Sequence, residues 1–307
     1  MCRTTDYSDS TLTNEGSIKP FPTMANPPPV GSEWKRLTPQ FLGIFSILTA
    51  VYGSIYYAFQ DSETILGFPR PGDEFCADAK SAICSRSDLF AFQIASGLSF
   101  LVMGGFGFYY WHVKGIQNTI PATPAGRCFS YIPEAEFVAV VCFTFQVWDF
   151  FISLGIPEHR TPIMLMHHIL ASAVSFAGMH CQYLLWYSFF FFGLSEVSSI
   201  FLVFMDLAKF FPPESGSSFG SFVEGYCGPI FAATFLFYRG FMWWRITYLK
   251  FKDCFEIMRS GQAEKLRPGK TWVLYVLMAF NIPMGMLQIY WSSLILTEIK
   301  KLIMGEE

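Results

Sequence analysis

The stretch YIPEAEFVAVVCFTFQVWDFFISLGIPEHRTPIMLMHHILASAVSF, residues 131–176, decides the fold. Two apolar blocks, 137–156 and 163–180, are separated by a short Pro-containing turn at 157–162. Each block is close to the ~20 apolar residues that a helix needs to cross a hydrocarbon core. They read as two consecutive membrane spans. Asp149 lies inside the first, and His167 and His168 lie inside the second.

The same pattern continues on both sides. QFLGIFSILTAVYGSIYYAF (40–59) has twenty residues and no charge, and further apolar stretches cover 89–111, 183–208, 226–248 and 272–297. The expected fold class is therefore an all-α integral membrane protein with about seven transmembrane helices. Composition agrees: of 307 residues, 52% are hydrophobic, 19% aromatic and only 15% charged, against roughly 25% charged in a soluble domain. Small residues Gly97, Gly104, Gly105 and Gly107 in the second span let membrane helices approach closely. No internal repeat of the transporter kind is present. Residues 1–38, rich in Ser, Thr, Asn and Pro with no apolar core, read as a disordered tail rather than a cleaved signal. An extra N-terminal span and polar loop (39–85), a main transmembrane domain (86–300) and a short tail (301–307) follow.

A net charge of −3 points away from nucleic acid, and the basic residues cluster at span flanks instead. The expected partners are membrane lipids, with a homo-oligomer left open. Ten cations flank the N-terminal side of the membrane and seven the other, so the positive-inside rule favours a cytosolic N-terminus. Of eight cysteines, Cys76 and Cys84 share the polar loop DEFCADAKSAICSRSD. They form a disulfide if that loop is lumenal, or stay as two free thiols. No zinc spacing appears, and no metal or resident cofactor is expected.

Ionisable groups inside spans are costly and are functional-site candidates by default. Counting at ~1.5 Å per residue puts Asp149 about 10 Å, and the two histidines about 6–8 Å, below one membrane surface. Glu196 and Gln288, entering from the opposite face, reach a similar level. Arg239 falls nearer the other face, where it snorkels or forms a structural ion pair, as does Arg245. Helical phase groups Gln146, Asp149 and Ser153; His168, Ser172 and Ser175; Glu196 and Ser199; and Asn281, Gly285 and Gln288. These stripes face the bundle interior or a wet cavity, since lipid tails cannot satisfy them, or, alternatively, only hold the helices together.

Adjacent histidines point about 100° apart on a helix and chelate one metal poorly. Five histidines in all exclude the His-rich membrane hydroxylases and desaturases. An acid–base or nucleophilic role suits the pair better: a neutral imidazole takes a proton from an amine or hydroxyl, or accepts an acyl group. Asp149 or Glu196 would then orient the ring, which makes His167, His168, Asp149 and Glu196 the candidate catalytic residues. Gln146, Ser172, Ser199, Asn281 and Gln288 are the candidate polar lining of the cavity.

The segment 131–176 resembles the centre of a TLC domain, the fold shared by ceramide synthases, translocating-chain-associated membrane proteins and smaller TLC-domain-containing proteins. GLSEVSSIFLVFMDLAKFF (193–211) and LQIYWSSLIL (287–296) resemble later spans of that family. The resemblance covers about 86–300 and implies a six-helix bundle around a lipid-accessible cavity, preceded here by one extra span. In the ceramide synthases the paired histidines transfer an acyl group from coenzyme A to a sphingoid amine, and His167 and His168 match those positions. Ala171 stands where those enzymes place a threonine, and their later His-Asp pair and further aspartates are missing. The chain is thus more similar to the smaller TLC-domain-containing proteins.

The expected function is membrane lipid homeostasis, in the endoplasmic reticulum or another endomembrane, with an intramembrane His-His/carboxylate lipid site. A ceramide-synthase-type acyltransferase, with acyl-CoA as co-substrate, is the alternative. Ceramide-synthase-like topology would put the histidine side towards the cytosol, opposite to the charge count. A seven-helix receptor or transporter is a further alternative, although Asp-Arg-Tyr, Asn-Pro-x-x-Tyr and a lysine in the middle of span seven are all missing.

Overall fold

The computed structural model describes residues 33–60, 86–118, 120–213 and 216–305, so Cys76 and Cys84 lie outside the described residues. Nine helical elements carry the description. They are α1 (Glu33–Phe59), α2 (Ser87–Val113), α3 (Pro124–Phe129), α4 (Pro133–Ser153), α5 (Pro162–Cys181), α6 (Leu185–Phe210), α7 (218–259), α8 (Gln262–Leu266) and α9 (Thr271–Met304). No strand occurs among the described residues. Six of these helices, α1, α2, α4, α5, α6 and α9, are long and apolar enough to cross a membrane. The expected sixth span, 226–248, lies within α7, which is helical throughout but is not one of the six.

Local chemistry sets the α4–α5 hairpin. Pro133 and Pro162 occupy first-turn positions, where a missing N–H costs nothing. The Thr161 hydroxyl accepts a bond from the Met164 amide at 3.3 Å and caps α5. Beyond Cys181, Gln182 takes a left-handed conformation (φ 52°) and ends the helix. The turn between the two helices is tied to the start of α2, because Arg86 Nη2 donates to Glu158 Oε2 at 2.6 Å.

α4 is central: it packs on α1, α2 and α5 and buries Val138, Val140, Phe145 and Trp148. α9 closes the bundle against α5 and α7. α2 and α6 cross with their backbones in contact, since a Cβ on Gly107 would meet the Leu194 nitrogen at 2.2 Å. α6 is irregular at this crossing: a π-helical stretch, Phe189–Gly193, passes into a 3₁₀ turn, Leu194–Glu196. α7 contains two π-helical stretches, Val223–Cys227 and Leu236–Met242. Such stretches shift hydrogen-bond register and are frequent at functional sites.

Candidate functional site

His168 is the most firmly held of the sequence-selected residues. It is buried on α5 and reaches across to α4. Its Nδ1 lies 2.7 Å from Gln146 Oε1 and its Nε2 lies 3.4 Å from Asp149 Oδ1. Ser153 Oγ donates to the same carboxylate oxygen at 2.7 Å. Residues 146, 149 and 153 thus form one hydrogen-bonded face of α4, and it fixes both nitrogens of the ring. On the turn below, the His159 ring stacks near Phe92, with centroids 4.4 Å apart. Burial pushes its imidazole below the ordinary value, with Asp149 opposing the shift.

His167 points elsewhere. Its ring meets Trp291 of α9 edge-on at 5.4 Å and His168 at 5.5 Å. Its Nδ1 is buried with no hydrogen-bond partner. His167 lines a cavity walled by α4, α5, α6, α7 and α9. The two histidines therefore stand in different surroundings, one clamped to α4 and the other facing the cavity.

Glu196 lines the same cavity and is paired with Arg239. Arg239 Nη2 lies 2.6 Å from Glu196 Oε2 and 2.9 Å from Ser199 Oγ, and its Nε donates to the Ser195 carbonyl at 2.7 Å. Ser199 Oγ also donates to Glu196 Oε2 at 2.7 Å. The 3₁₀ turn of α6 presents the carbonyl that receives the guanidinium. Depth counting places Arg239 nearer the opposite face, but in the structure it lies level with Glu196. The two π-helical stretches of α7 wind more residues into each turn, so counting at the regular rise overstates how far along the helix Arg239 lies.

The remaining candidates divide. Gln146 and Gln288 line the cavity near His167. Asn281 also lines it, but two turns earlier on α9, where it accepts a bond from Lys250 and donates to Thr247 Oγ1 at 3.0 Å. Ser172 turns back on its own helix and donates to the Ile169 carbonyl at 2.9 Å. Among the described residues, no group of three or more His, Cys, Asp or Glu side chains is placed to hold a metal ion.

Sequence reasoning missed the importance of Arg239 and Lys250. Both line the cavity and both are buried, at 7% and 3% relative exposure. A signal did exist: Trp243, Thr247 and Lys250 recur at +4, +8 and +11 from Arg239, one face of a helix. The apolar block ending at 248 hid it.

The wall between these groups is apolar and aromatic, with Phe191, Phe192, Leu277 and Met284. Four side chains in that wall carry a buried polar atom without a partner: His167 Nδ1, Tyr183 Oη, Trp243 Nε1 and Gln288 Oε1. Each such atom costs about 1–3 kcal/mol unless something bonds to it. An apolar tube with a few unsatisfied polar groups suits an amphiphile.

The family described as TLC domain matches residues 89–297, from α2 to the C-terminal half of α9. No curated protein and no solved structure matches the chain. The match spans about two-thirds of the sequence and includes every cavity-lining helix. The chain is a multi-pass, all-α integral membrane protein that belongs to the TLC domain family, whose function concerns membrane lipids.

Proposed function

We propose that the chain binds and processes a membrane lipid in this cavity and so maintains membrane lipid composition, in the endoplasmic reticulum or another endomembrane. The observation that carries the reading is a helix-walled cavity, rich in aromatic and aliphatic side chains, in which four lining side chains carry an unpartnered buried polar atom. His167 is the working group: it lines the cavity, and its unpartnered Nδ1 can take a proton or accept an acyl group. His168 is a positioning residue, held by Gln146 and Asp149, and it sets the ring of its neighbour. Glu196, neutralised by Arg239, shapes the wall. Lipid profiling of a deletion strain is expected to show one lipid class changed, restored by the wild-type chain but not by His167→Ala. An unchanged lipidome, or full restoration by His167→Ala, would overturn the proposal.

A second reading, acyl transfer from acyl-CoA to an amine, is favoured by the same unpartnered His167 nitrogen. The imidazole would displace the thiol of the thioester and then pass the acyl group to the amine. Turnover of acyl-CoA with sphingoid bases by the purified chain, lost in His167→Ala, is the discriminating result.

A further inference from the structure

Lys250 is buried at 3% exposure on α7 and lines the cavity at the end remote from His167. Its ammonium donates to Asn281 Oδ1 and lies 4.7 Å from the centroid of the Phe191 ring. Among the described residues it has no carboxylate partner, whereas the other cation of the cavity, Arg239, is matched by Glu196. The cavity therefore carries one uncompensated positive charge, at a defined end. A buried ammonium of this kind is unfavourable unless an opposite charge joins it or it gives up its proton, and an anion would hold it in the charged form. Asn281 and an aromatic face supply polar contact but no counter-charge.

The geometry also measures the tube. On α9, Asn281 beside Lys250 precedes Trp291 beside His167 by ten residues, or about 15 Å at the ~1.5 Å rise per residue. Between them on α9 the wall carries Met284 and Gln288.

We infer that the cavity takes an amphiphile whose anionic head, a carboxylate or a phosphate, pairs with Lys250 and whose alkyl part runs towards His167. This deepens the proposed lipid site by assigning its ligand class and its polarity, and it rests on reading the cavity as that site. Lys250 selects charge, and the aromatic and aliphatic wall selects chain.

The test uses the full chain, delipidated in detergent, with hexadecanoate, hexadecyl phosphate and hexadecanol as probes of equal chain length. Binding and thermal stabilisation are expected for at least one anion, about tenfold tighter than for the neutral alcohol. Lys250→Met is expected to remove that preference while still binding the alcohol, and Lys250→Arg to keep it. Stabilisation by only one of the two anions would identify the head as carboxylate or phosphate. Equal affinity of the wild-type chain for alcohol and anions would overturn the inference, as would an unchanged anion preference in Lys250→Met. The wild-type comparison decides alone if that variant fails to fold. His167→Ala is expected to retain the anion preference, so loss of lipid processing and loss of head recognition are separately visible.

Discussion

At the scale of single residues, the most demanding feature is the Arg239–Glu196 pair, buried at 7% and 9% exposure. Desolvating two charges is offset only when geometry is good and the remaining hydrogen-bonding capacity is filled. Here the guanidinium has three acceptors and the carboxylate has two donors. Removing one partner leaves the other buried and uncompensated, which typically costs about 3–5 kcal/mol. Arg239→Met is expected to destabilise the chain by that order in detergent unfolding, and Glu196→Gln added to it should recover most of the loss. A double variant no more stable than Arg239→Met alone would show that charge pairing is not what the arginine supplies. Part of the site was legible at this scale. Gln146, Asp149 and Ser153 share one helix face in the sequence; Gln146 and Asp149 meet the two ring nitrogens of His168, and Ser153 donates to Asp149. Glu196 and Ser199 follow the same rule. Ser172 did not follow it, because a serine in a helix can satisfy itself on its own backbone.

At the scale of elements, departures from the regular α-helix position the site. α6 changes from π-helical to 3₁₀ at Gly193, where it crosses α2, and the next three residues present Ser195 and Glu196 to the cavity. The crossing depends on Gly107 of α2 and Gly193 of α6. A Cβ on Gly107 would fall 2.2 Å from the Leu194 nitrogen, whereas one on Gly105 would meet nothing within 4 Å. Gly107→Ala must push α2 away from α6, and overpacking of this kind costs about 1–3 kcal/mol or more. Its thermal midpoint is expected to fall clearly, while that of Gly105→Ala stays near or slightly above wild type. A similar fall in both variants would mean that helix–lipid contacts, not the crossing, set stability. The sequence marked the glycines of α2 as sites of close approach without distinguishing which one makes the contact. Nothing in it marked the π-helical stretches, because they arise from packing between helices and leave the apolar pattern intact. That is why counting at the regular helical rise set Arg239 too near the opposite face.

At the scale of the whole molecule, the family match begins at residue 89, after α1. α1 buries little of itself, only Glu33, Leu37 and Leu48. It lies against α2 and α4 through ring contacts such as Tyr52 with Trp148 and Phe59 with Phe90. The apolar pattern gave away such a peripheral helix as readily as a central one, because lipid and protein interior ask for the same side chains; its position in the bundle was not legible. The same equivalence lowers the cost of removing it. In water, loss of α1 would expose an apolar face, but in a bilayer lipid tails replace that contact nearly as well. One link behaves differently: Arg36 Nη2 donates to Glu136 Oε1 at 2.8 Å, and Glu136 is 3% exposed. Deleting residues 1–60 would orphan that carboxylate, leaving only the Tyr131 hydroxyl, which donates to it at 2.9 Å. The truncated chain is therefore expected to fold but to melt lower, and Glu136→Gln should raise its midpoint while lowering that of the full chain. The opposite signs follow from one cause, an acid that needs its arginine. Glu136→Gln shifting both chains in the same direction would refute that account and make α1 a packing partner of the bundle in its own right.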